Sequence, residues 1–528
     1  MKKYLLEHKI YIFKLLTLLI IGNIAAILVQ FFRGDVLDAA ITGASKNTIY
    51  SGFFMVTAIM IELIFYYFMF ITGDKLASKC VESLKADVFE TILNSNYKKF
   101  YSCDKGEYIS KLTNEVSLIN EKYFSNFNGF CEVSIKALMV VISIFILNWK
   151  LAIISLFLMT LPIYVPKLIQ KKLESSTSNY IQSINKLMLK INDYLSGYEI
   201  IHNYSLSYKF IKKFNKFNKE TQDNYYNMRK LSSGSRSLSA ILSYMSFFIV
   251  VMFSASLVLS GEFTAGEFFA AIGLIDQLSW PIISISTNIQ KFISVKPVAT
   301  SILDFMKVEH IQNKKDLTNK ISNIEYKKVS FSYDDTKLIK DFDANFEDNH
   351  KYLIKGESGC GKTTLINLLL SYEKATSGEI YVNGMSIDKI GDIYKRISIV
   401  RQEAFLFSDT LRNNIALYEE MDDSEILEAL NKVNLKKFAT KDGLDMLVEN
   451  EGTNLSGGEK KRISLARALA RKKDILILDE PLANLDDTNS SAIEDIILNI
   501  TDMTVIVISH TFSESKLYKF DNVYNLSD

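Results

Sequence analysis

Cysteine is scarce in this sequence of 528 residues, which contains only Cys80, Cys103, Cys131 and Cys360. Four cysteines are too few for a disulfide framework, and no two of them have the Cys-x-x-Cys spacing of a zinc site. A chain that faces a reducing cytosol is the simpler interpretation. A charge excess is also missing, because 61 Lys and Arg balance 60 Asp and Glu. This balance excludes a strongly basic nucleic-acid-binding protein and an acidic solvating protein.

Proline is rare as well, and four of the five prolines lie in the first 300 residues. The same part of the chain contains six long apolar stretches, most of them close to the ~20 residues that cross a hydrocarbon core. We predict membrane spans at residues 10–32, 52–71, 127–147, 151–170, 238–259 and 268–293. The apolar part of the fourth is the shortest and ends at Pro166. A signal peptide is the alternative for the first stretch, but five further spans favour a transmembrane helix.

No stretch after about residue 310 is long enough to span a membrane, and the composition there is that of a soluble α/β domain. The sequence therefore predicts a multi-domain protein. An all-α six-helix transmembrane domain at 1–300 has long cytosolic helical extensions, and a linker at 301–325 leads to an α/β domain at 326–528.

Lysine and arginine counts predict the orientation in the membrane. The N-terminus, loop 73–126 and loop 167–237 contain 24 of these residues, whereas segments 33–51, 148–150 and 260–267 contain 3. Both termini and the two long loops are therefore expected inside. The loops are rich in helix formers and poor in Gly and Pro, so we interpret them as helices that leave the membrane and return. Their tips are expected at 101–111 and 206–214.

The strongest motif of the soluble part is a glycine-rich segment of the pattern Gly-x-x-x-x-Gly-Lys-Ser/Thr. It consists of Gly356, Glu357, Ser358, Gly359, Cys360, Gly361, Lys362, Thr363 and Thr364. A strand pattern at 352–354 precedes the segment and a helical pattern at 364–370 follows it, as phosphate binding requires. Backbone N–H groups of such a loop surround the β-phosphate, Lys362 reaches the β- and γ-phosphates, and Thr363 offers its hydroxyl to Mg²⁺.

Two carboxylates follow a second apolar segment. Residues 475–478 read Ile-Leu-Ile-Leu, which is typical of a buried parallel strand, and Asp479 and Glu480 come next. Ligands bind at this carboxyl edge in open α/β sheets. Asp479 suits the coordination shell of Mg²⁺, and Glu480 suits polarisation of an attacking water. Together with the glycine-rich loop, the pair predicts a nucleotide hydrolase, so the α/β domain at 326–528 is expected to be a P-loop ATPase domain.

A third motif is a glycine-rich entry to a helical pattern at 460–471. It consists of Ser456, Gly457, Gly458 and Glu459, and it predicts a second anion site at a helix N-terminus. The motifs occur in the order and spacing of an ATP-binding cassette: Tyr333, 356–364, Gln402, 455–459, Asp479-Glu480 and His510. With six predicted spans before the cassette, nearly the whole chain resembles an ABC exporter half-transporter.

The resemblance implies roles for individual residues. Tyr333 resembles the aromatic residue that stacks on adenine, and Gln402 resembles the residue that links Mg²⁺ to the membrane-domain contact. His510 resembles the sensor of the γ-phosphate. The loop that ends at Asp486 resembles the segment facing the opposite cassette, with Asn484 in place of the usual small residue. A packed core tyrosine and a structural strand-end histidine are the alternatives for Tyr333 and His510.

The resemblance also implies partners. Two half-transporter chains would enclose two ATP molecules. Each would be held between the glycine-rich loop 356–364 of one chain, the phosphate loop, and the segment 455–459 of the other, the signature loop. An identical partner is favoured and an unlike partner stays possible. The loop tips would be seated on the cassettes. Location in a prokaryotic plasma membrane, contact with membrane lipid, and no nucleic-acid partner are expected.

The cargo is not named by the sequence. The leading hypothesis is an ATP-driven exporter of an amphipathic substrate, such as a peptide, lipid or drug-like molecule. The alternatives are a sensor or immunity component that gates a partner, and a soluble-type ATPase acting on nucleic acid. Within the spans, Glu132 and Lys136 are expected to pair with each other. Glu62 could face cationic cargo or bond a neighbouring helix, and Asp276 is a further candidate.

Overall fold

The structure is a computed structural model that describes residues 1–307, 316–333, 336–357, 359–483 and 485–526, with the backbone alone at 163, 166, 167, 170, 333 and 336. The chain divides into two compact units. One comprises Met1–Asn94 and Cys103–Val308, and the other comprises Ser95–Ser102 and Glu309–Asp528. The short segment Ser95–Ser102 therefore lies in the second unit, although the predicted transmembrane domain at 1–300 includes it.

The chain up to residue 305 is helical. Its α-helices are α1 (Lys2–Glu7), α2 (Lys9–Ile41), α3 (Ser45–Leu93), α4 (Tyr97–Tyr101), α5 (Lys105–Ser110), α6 (Val116–Ile119), α7 (Ser125–Leu147), α8 (Trp149–Thr160), α9 (Val165–Ser196), α10 (Tyr198–Asn203), α11 (Ser207–Leu259) and α12 (Ala265–Phe305). Two π-helical turns, Lys111–Glu115 and Asn120–Phe124, flank α6, and a 3-10 turn, Leu161–Tyr164, separates α8 from α9.

The longest helices extend beyond a membrane, as the sequence predicts. At ~1.5 Å per residue, the 49 residues of α3 and the 53 residues of α11 rise about 74 and 80 Å, against a hydrocarbon core of about 30 Å. The membrane-length part of α3 leaves large apolar side chains such as Phe53 and Leu63 exposed, which suits contact with lipid. The second tip differs from its predicted position, because the turn lies at 204–206 and residues 207–214 are already helical.

Five helical segments are long and apolar enough to cross a membrane within the described part of the chain. The exception among the six predicted spans is the fourth, at 151–170. There the structure has the short apolar helix α8, the 3-10 turn and the start of α9 in place of one regular helix. Pro162 and Pro166 explain the interruption, because each lacks the N–H group that a regular α-helix uses.

Helices α2 and α12 approach each other closely at two glycines. A Cβ atom added at Gly266 would lie 2.3 Å from the carbonyl oxygen of Gly34, and one added at Gly34 would lie 2.5 Å from that of Gly266. Small residues permit such an approach of two membrane helices. The packing here therefore depends on the absence of side chains.

We expect Gly266→Leu to destabilise the folded protein by about 1–3 kcal/mol, because backbone atoms of α2 cannot yield to the new side chain. Thermal unfolding in detergent measures this loss. Gly52→Leu in α3 is the matched control, since an added Cβ there meets nothing within 4 Å. Equal melting temperatures of the two variants would contradict the packing argument.

Within its described residues, the second unit contains nine strands and six α-helices besides α4. The strands are β1 (Asn323–Tyr333), β2 (Thr336–Glu347), β3 (Lys351–Lys355), β4 (Ser377–Val382), β5 (Met385–Ser386), β6 (Ile397–Val400), β7 (Ile475–Asp479), β8 (Thr504–Ile508) and β9 (Asn522–Asn525). The helices are α13 (Lys362–Leu369), α14 (Leu411–Ala416), α15 (Asp423–Lys432), α16 (Lys441–Leu444), α17 (Gly457–Ala470) and α18 (Asp487–Leu498).

The strands form two sheets. One is antiparallel in the order β2-β1-β4-β5, and the other is parallel in the order β6-β7-β8-β3-β9. Successive residues of β7 point to opposite faces, so that Leu476 and Leu478 join one buried cluster with the helices while Ile475 and Ile477 join another with the antiparallel sheet. The carboxyl ends of β3, β6, β7 and β8 consequently meet at one edge, where the sequence motifs lie.

Candidate functional site

The glycine-rich loop connects β3 to α13, as predicted. Gly359 and Gly361 have φ angles of +88° and +102°, which side chains rarely tolerate, and α13 begins directly afterwards at Lys362. The Lys362 ammonium is buried and donates hydrogen bonds of 2.7 Å to the carbonyl oxygens of Gly356 and Glu357. The loop and its lysine thus bring positive charge to a helix N-terminus, an arrangement that favours a phosphate.

Thr363 and Asp479 place two oxygens side by side. The Thr363 hydroxyl donates to Asp479 Oδ1 over 3.2 Å, and Asp479 ends the buried strand β7 with 3 % of its surface exposed. Burial raises the pKa of the Asp479 carboxyl, while the neighbouring Arg401 guanidinium and Thr363 hydroxyl oppose that rise. A hydroxyl and a carboxylate are hard oxygen ligands of the kind Mg²⁺ uses together with nucleotide phosphates. The residues present therefore fit a magnesium ion.

Glu480 is held beside the glycine-rich loop. Its backbone has a φ angle of +48°, and its N–H donates to the Ile508 carbonyl at the end of β8 over 2.9 Å. His510 Nδ1 lies 2.9 Å from Glu480 Oε2, and Lys362 Nζ lies 3.7 Å from Oε1. The carboxylate is 12 % exposed and the imidazole 47 %. The structure therefore brings together Lys362, Glu480 and His510, which lie far apart in the sequence.

Gln402 and its neighbour Arg401 follow β6 at the same edge. Gln402 is exposed, whereas Arg401 reaches inward, with Nη1 3.2 Å from Asp479 Oδ2 and Nη2 2.9 Å from Asn367 Oδ1. Sequence reasoning selected Gln402 and missed Arg401. A signal existed, because a charged residue directly after a strand of this sheet lies where Asp479 ends the next strand.

The segment Ser456–Glu459 begins α17. Ser456 Oγ accepts from the N–H of Glu459, and the Glu459 carboxylate accepts from the N–H of Ser456, which is a reciprocal cap. An added Cβ at Gly457 would meet nothing within 4 Å, so this helix start is open. For the described residues, no hydrogen bond or ion pair joins this segment to the glycine-rich loop of the same chain.

Lys461 is a residue that sequence reasoning missed. Its ammonium donates to the carbonyl oxygens of Glu480, Pro481 and Ala483, the last over 2.7 Å. Burial lowers the pKa of Lys461 below its ordinary value. The lysine connects helix α17 to the turn that carries Glu480. The only available signal was its place one helical turn after Gly457.

The loop after this turn is described in part. Asp486 precedes α18 and accepts hydrogen bonds from Thr488 Oγ1 and Asn489 Nδ2, which lower the pKa of its carboxyl. Ser358, Asn484 and the side chain of Tyr333 lie outside the described residues. The proposed adenine contact of Tyr333 therefore stays a prediction.

Three of the charged residues in the spans line a small cavity of about 30 Å³. Glu62, Glu132 and Lys136 all face it, and Tyr66 Oη donates to Glu132 Oε1 over 3.3 Å. The predicted Glu132–Lys136 pair is not formed, since no ion pair within 4.0 Å joins them in the described structure. Tyr66 from α3 provides a partner that helix periodicity could not predict. Asp276 is exposed.

Known protein families and individual relatives match both units of the chain. A family model described as the ABC transporter transmembrane region matches residues 12–282, and one described as ABC transporter matches residues 339–483. A multidrug resistance-like ATP-binding protein, MdlB, of Buchnera aphidicola is 28% identical over 504 residues, which cover 92% of this chain and 85% of that protein. An ATP-dependent lipid A-core flippase of Syntrophus aciditrophicus is 27% identical over 457 residues, or 85% of this chain and 76% of the flippase.

The fold is also similar to a solved structure. A bacterial Atm1-family ABC exporter with ATP bound superposes with a TM-score of 0.81 at 18% identity, over 98% of this chain and 93% of that chain. At this identity the likeness concerns the fold alone. It confirms the predicted class, a helical transmembrane domain followed by an α/β nucleotide-binding domain.

Proposed function

Because this chain belongs to the ABC transporter family and is a membrane-spanning ATPase coupled to transport, we propose that it is one half of an exporter that acts as a dimer. The observation that carries the proposal is the convergence of Lys362, Asp479 and Glu480 at the edge of the parallel sheet. No observation favours the sensor alternative, and the named relatives are a multidrug resistance-like protein and a flippase.

We propose that the glycine-rich loop binds the phosphates of ATP, with residues 356–364 around them and Lys362 as the cation. Thr363 and Asp479 would hold Mg²⁺, with Gln402 as a further ligand, and the ion would neutralise charge on the phosphates. Glu480 would polarise the attacking water, and His510, 2.9 Å from that carboxylate, would orient it and contact the γ-phosphate. Tyr333 would stack on the adenine.

We propose a dimer because one chain supplies only half of each site. The start of α17, with Ser456, Gly457, Gly458 and Glu459, is open and makes no described contact with the loop of its own chain. It is therefore suited to a nucleotide held by another chain, since its N–H groups favour an anion. An identical partner would suffice, and an unlike partner is the alternative.

We propose that the membrane domain has six crossings, with α8 and the start of α9 forming the fourth. Both termini and the ATPase domain would lie in the cytosol, at a prokaryotic plasma membrane. The excess of Lys and Arg on the segments assigned inside, 24 against 3, supports this orientation. The first loop would be seated on the ATPase through residues 95–102, which overlap the tip predicted at 101–111 only at its start, because Ser95–Ser102 belongs to the same compact unit as residues 309–528.

The proposed substrate is amphipathic: a peptide, a lipid or a drug-like molecule. The purified chain in lipid nanodiscs would be titrated with a panel of each class while ATP hydrolysis is followed. We expect at least one class to stimulate hydrolysis at saturating ATP. If the purified chain hydrolyses no ATP, either alone or with any compound, an identical partner is not sufficient. If adding an unlike partner chain does not restore hydrolysis, the proposed function is refuted.

Cys360 provides a direct probe of the phosphate loop. Its Sγ lies 3.9 Å from Lys362 Nζ and the residue is partly exposed, so a maleimide attached there would occupy the space of the phosphates. We expect maleimide to abolish most of the ATPase activity, MgATP to protect, and Cys360→Ser to be active and resistant. The assignment would be contradicted if the protein without substitutions kept its ATPase activity after mass spectrometry had shown that Cys360 is labelled.

A further inference from the structure

Arg401 contacts the carboxylate that is proposed to hold Mg²⁺. Asp479 uses one oxygen for Thr363 and the other for Arg401, whose Nη1 lies 3.2 Å from Oδ2. The guanidinium is fixed from a second side by Asn367 of helix α13, over 2.9 Å. The Asp479 side chain is 4 % exposed and that of Arg401 is 32 % exposed. The pair is therefore largely shielded from water, and Arg401 supplies positive charge to a buried carboxylate.

The same guanidinium lies near an aromatic stack that leads to α4. The central carbon of Arg401 is 5.8 Å from the centre of the Tyr372 ring. Tyr372 stacks on Tyr97, with ring centres 3.5 Å apart and planes inclined by 5°. Lys98 and Glu373, the next residues on each side, form an ion pair of 3.4 Å. Tyr97 lies in α4, the short helix that follows α3 in the chain.

Three side chains thus form a continuous path from α4 to the proposed magnesium ligand: Tyr97, Tyr372 and Arg401. On the basis of the proposed function, we propose that Arg401 is a positioning residue. It neutralises Asp479 until Mg²⁺ arrives, and it transmits the weakening of its contact with Asp479 to α4 through Tyr372 and Tyr97. A divalent cation and a guanidinium compete for the charge of one carboxylate. Binding of Mg²⁺ therefore weakens the hold of Arg401 on Asp479.

The coupling is reciprocal, because two linked equilibria shift each other by the same factor. If Mg²⁺ loosens the contact between Arg401 and Asp479, then loosening that contact by mutation strengthens Mg²⁺-dependent binding. The stack on Tyr97 holds Tyr372 beside Arg401, so its removal acts in the same direction with a smaller effect.

Calorimetry of ATP binding tests this proposal in full-length Glu480→Gln protein in nanodiscs, where hydrolysis is suppressed. The quantity compared is the ratio of ATP affinity with Mg²⁺ to ATP affinity in EDTA. We expect Arg401→Gln to raise this ratio about 5- to 100-fold, the usual range of coupling between sites. Arg401→Lys keeps the charge without the planar fork and should fall between the parent and Arg401→Gln. Tyr97→Leu should raise the ratio by a smaller factor.

Arg396→Gln is the matched control. Arg396 precedes β6 as Arg401 follows it, and its guanidinium lies 3.7 Å from Asp474, just before β7. Arg396 and Asp474 thus form an arginine–aspartate pair at the opposite end of the same two strands. We expect Arg396→Gln to leave the affinity ratio unchanged. Binding of ATP in EDTA reports that each variant is folded, and Arg401→Lys and Tyr97→Leu carry the test if Arg401→Gln does not fold.

A ratio in Arg401→Gln that equals the control, or falls below the parent, would overturn the role of Arg401. An unchanged ratio in Tyr97→Leu would overturn the path to α4. Failure of the parent to bind ATP would refute the proposed function itself, so the two failures are distinguishable.

Discussion

Glu480→Gln is expected to lower ATP hydrolysis by at least about 10²-fold, because the amide keeps the shape of the side chain and removes the charge that polarises water. Binding should survive, since Lys362, Thr363 and Asp479 are unchanged. The variant should accumulate as a closed, ATP-bound dimer. Phosphate release measures the first effect, and size-exclusion chromatography with radiolabelled ATP measures the second.

Glu514→Gln is a suitable control for this experiment. Glu514 is an exposed glutamate a few residues beyond His510. Its substitution by Gln removes the same charge at a position away from the site. We expect normal turnover from it. Near-normal turnover in Glu480→Gln would contradict the assignment of the catalytic carboxylate. If Glu480→Gln bound no ATP, Glu480 would be needed for the structure of the glycine-rich loop. Its Oε1 lies 3.7 Å from Nζ of Lys362 in that loop.

The second large effect concerns the composite site. In a forced pair of chains, Lys362→Ala damages one phosphate loop and Gly457→Asp damages one signature loop. On opposite chains, the two lesions fall in one site and leave the other site intact. On the same chain, they fall in different sites and damage both. We therefore expect vanadate, which replaces the phosphate released on hydrolysis, to trap ADP in the opposite-chain pair supplied with MgATP, and hardly at all in the same-chain pair.

The reverse order would mean that each chain builds its own site, because the same-chain pair would then retain one intact subunit. A pair without lesions and pairs with a single lesion are the controls. Gly457→Asp is a mild change for the fold, since nothing lies within 4 Å of an added Cβ at that position. The added carboxylate instead opposes an anion at the start of α17.

The proposed catalytic edge of the parallel sheet could be predicted from the sequence because its signals are local. Glycines before a helix, an apolar strand that ends in Asp479 and Glu480, and a histidine after the next strand each indicate their own place in a parallel sheet. The elements β3, α13, β6, β7, β8 and α17 lie where these patterns put them, within a few residues. Their common edge follows from the parallel order of the strands.

The contacts between distant residues could not be predicted in this way. Arg401, Lys461 and Tyr66 act on residues that lie 78, 19 and 66 positions away in the chain. Such partners depend on which strands and helices become neighbours, and hydrophobic periodicity carries no information on this. The 3-10 turn within the predicted fourth span, at 151–170, gives no signal in composition for a related reason, because the apolar composition continues through Pro162 while the regular helix does not.

Vectorial movement of cargo is the most direct test of the account. Inside-out proteoliposomes would receive a compound that stimulates ATP hydrolysis, and its amount in the lumen would be followed after addition of MgATP. We predict ATP-dependent accumulation with the unmodified chain, and none with Glu480→Gln or with a non-hydrolysable ATP analogue. Stimulated hydrolysis without any accumulation, in vesicles that retain the compound when it is preloaded, would contradict export and indicate a protein that moves no cargo.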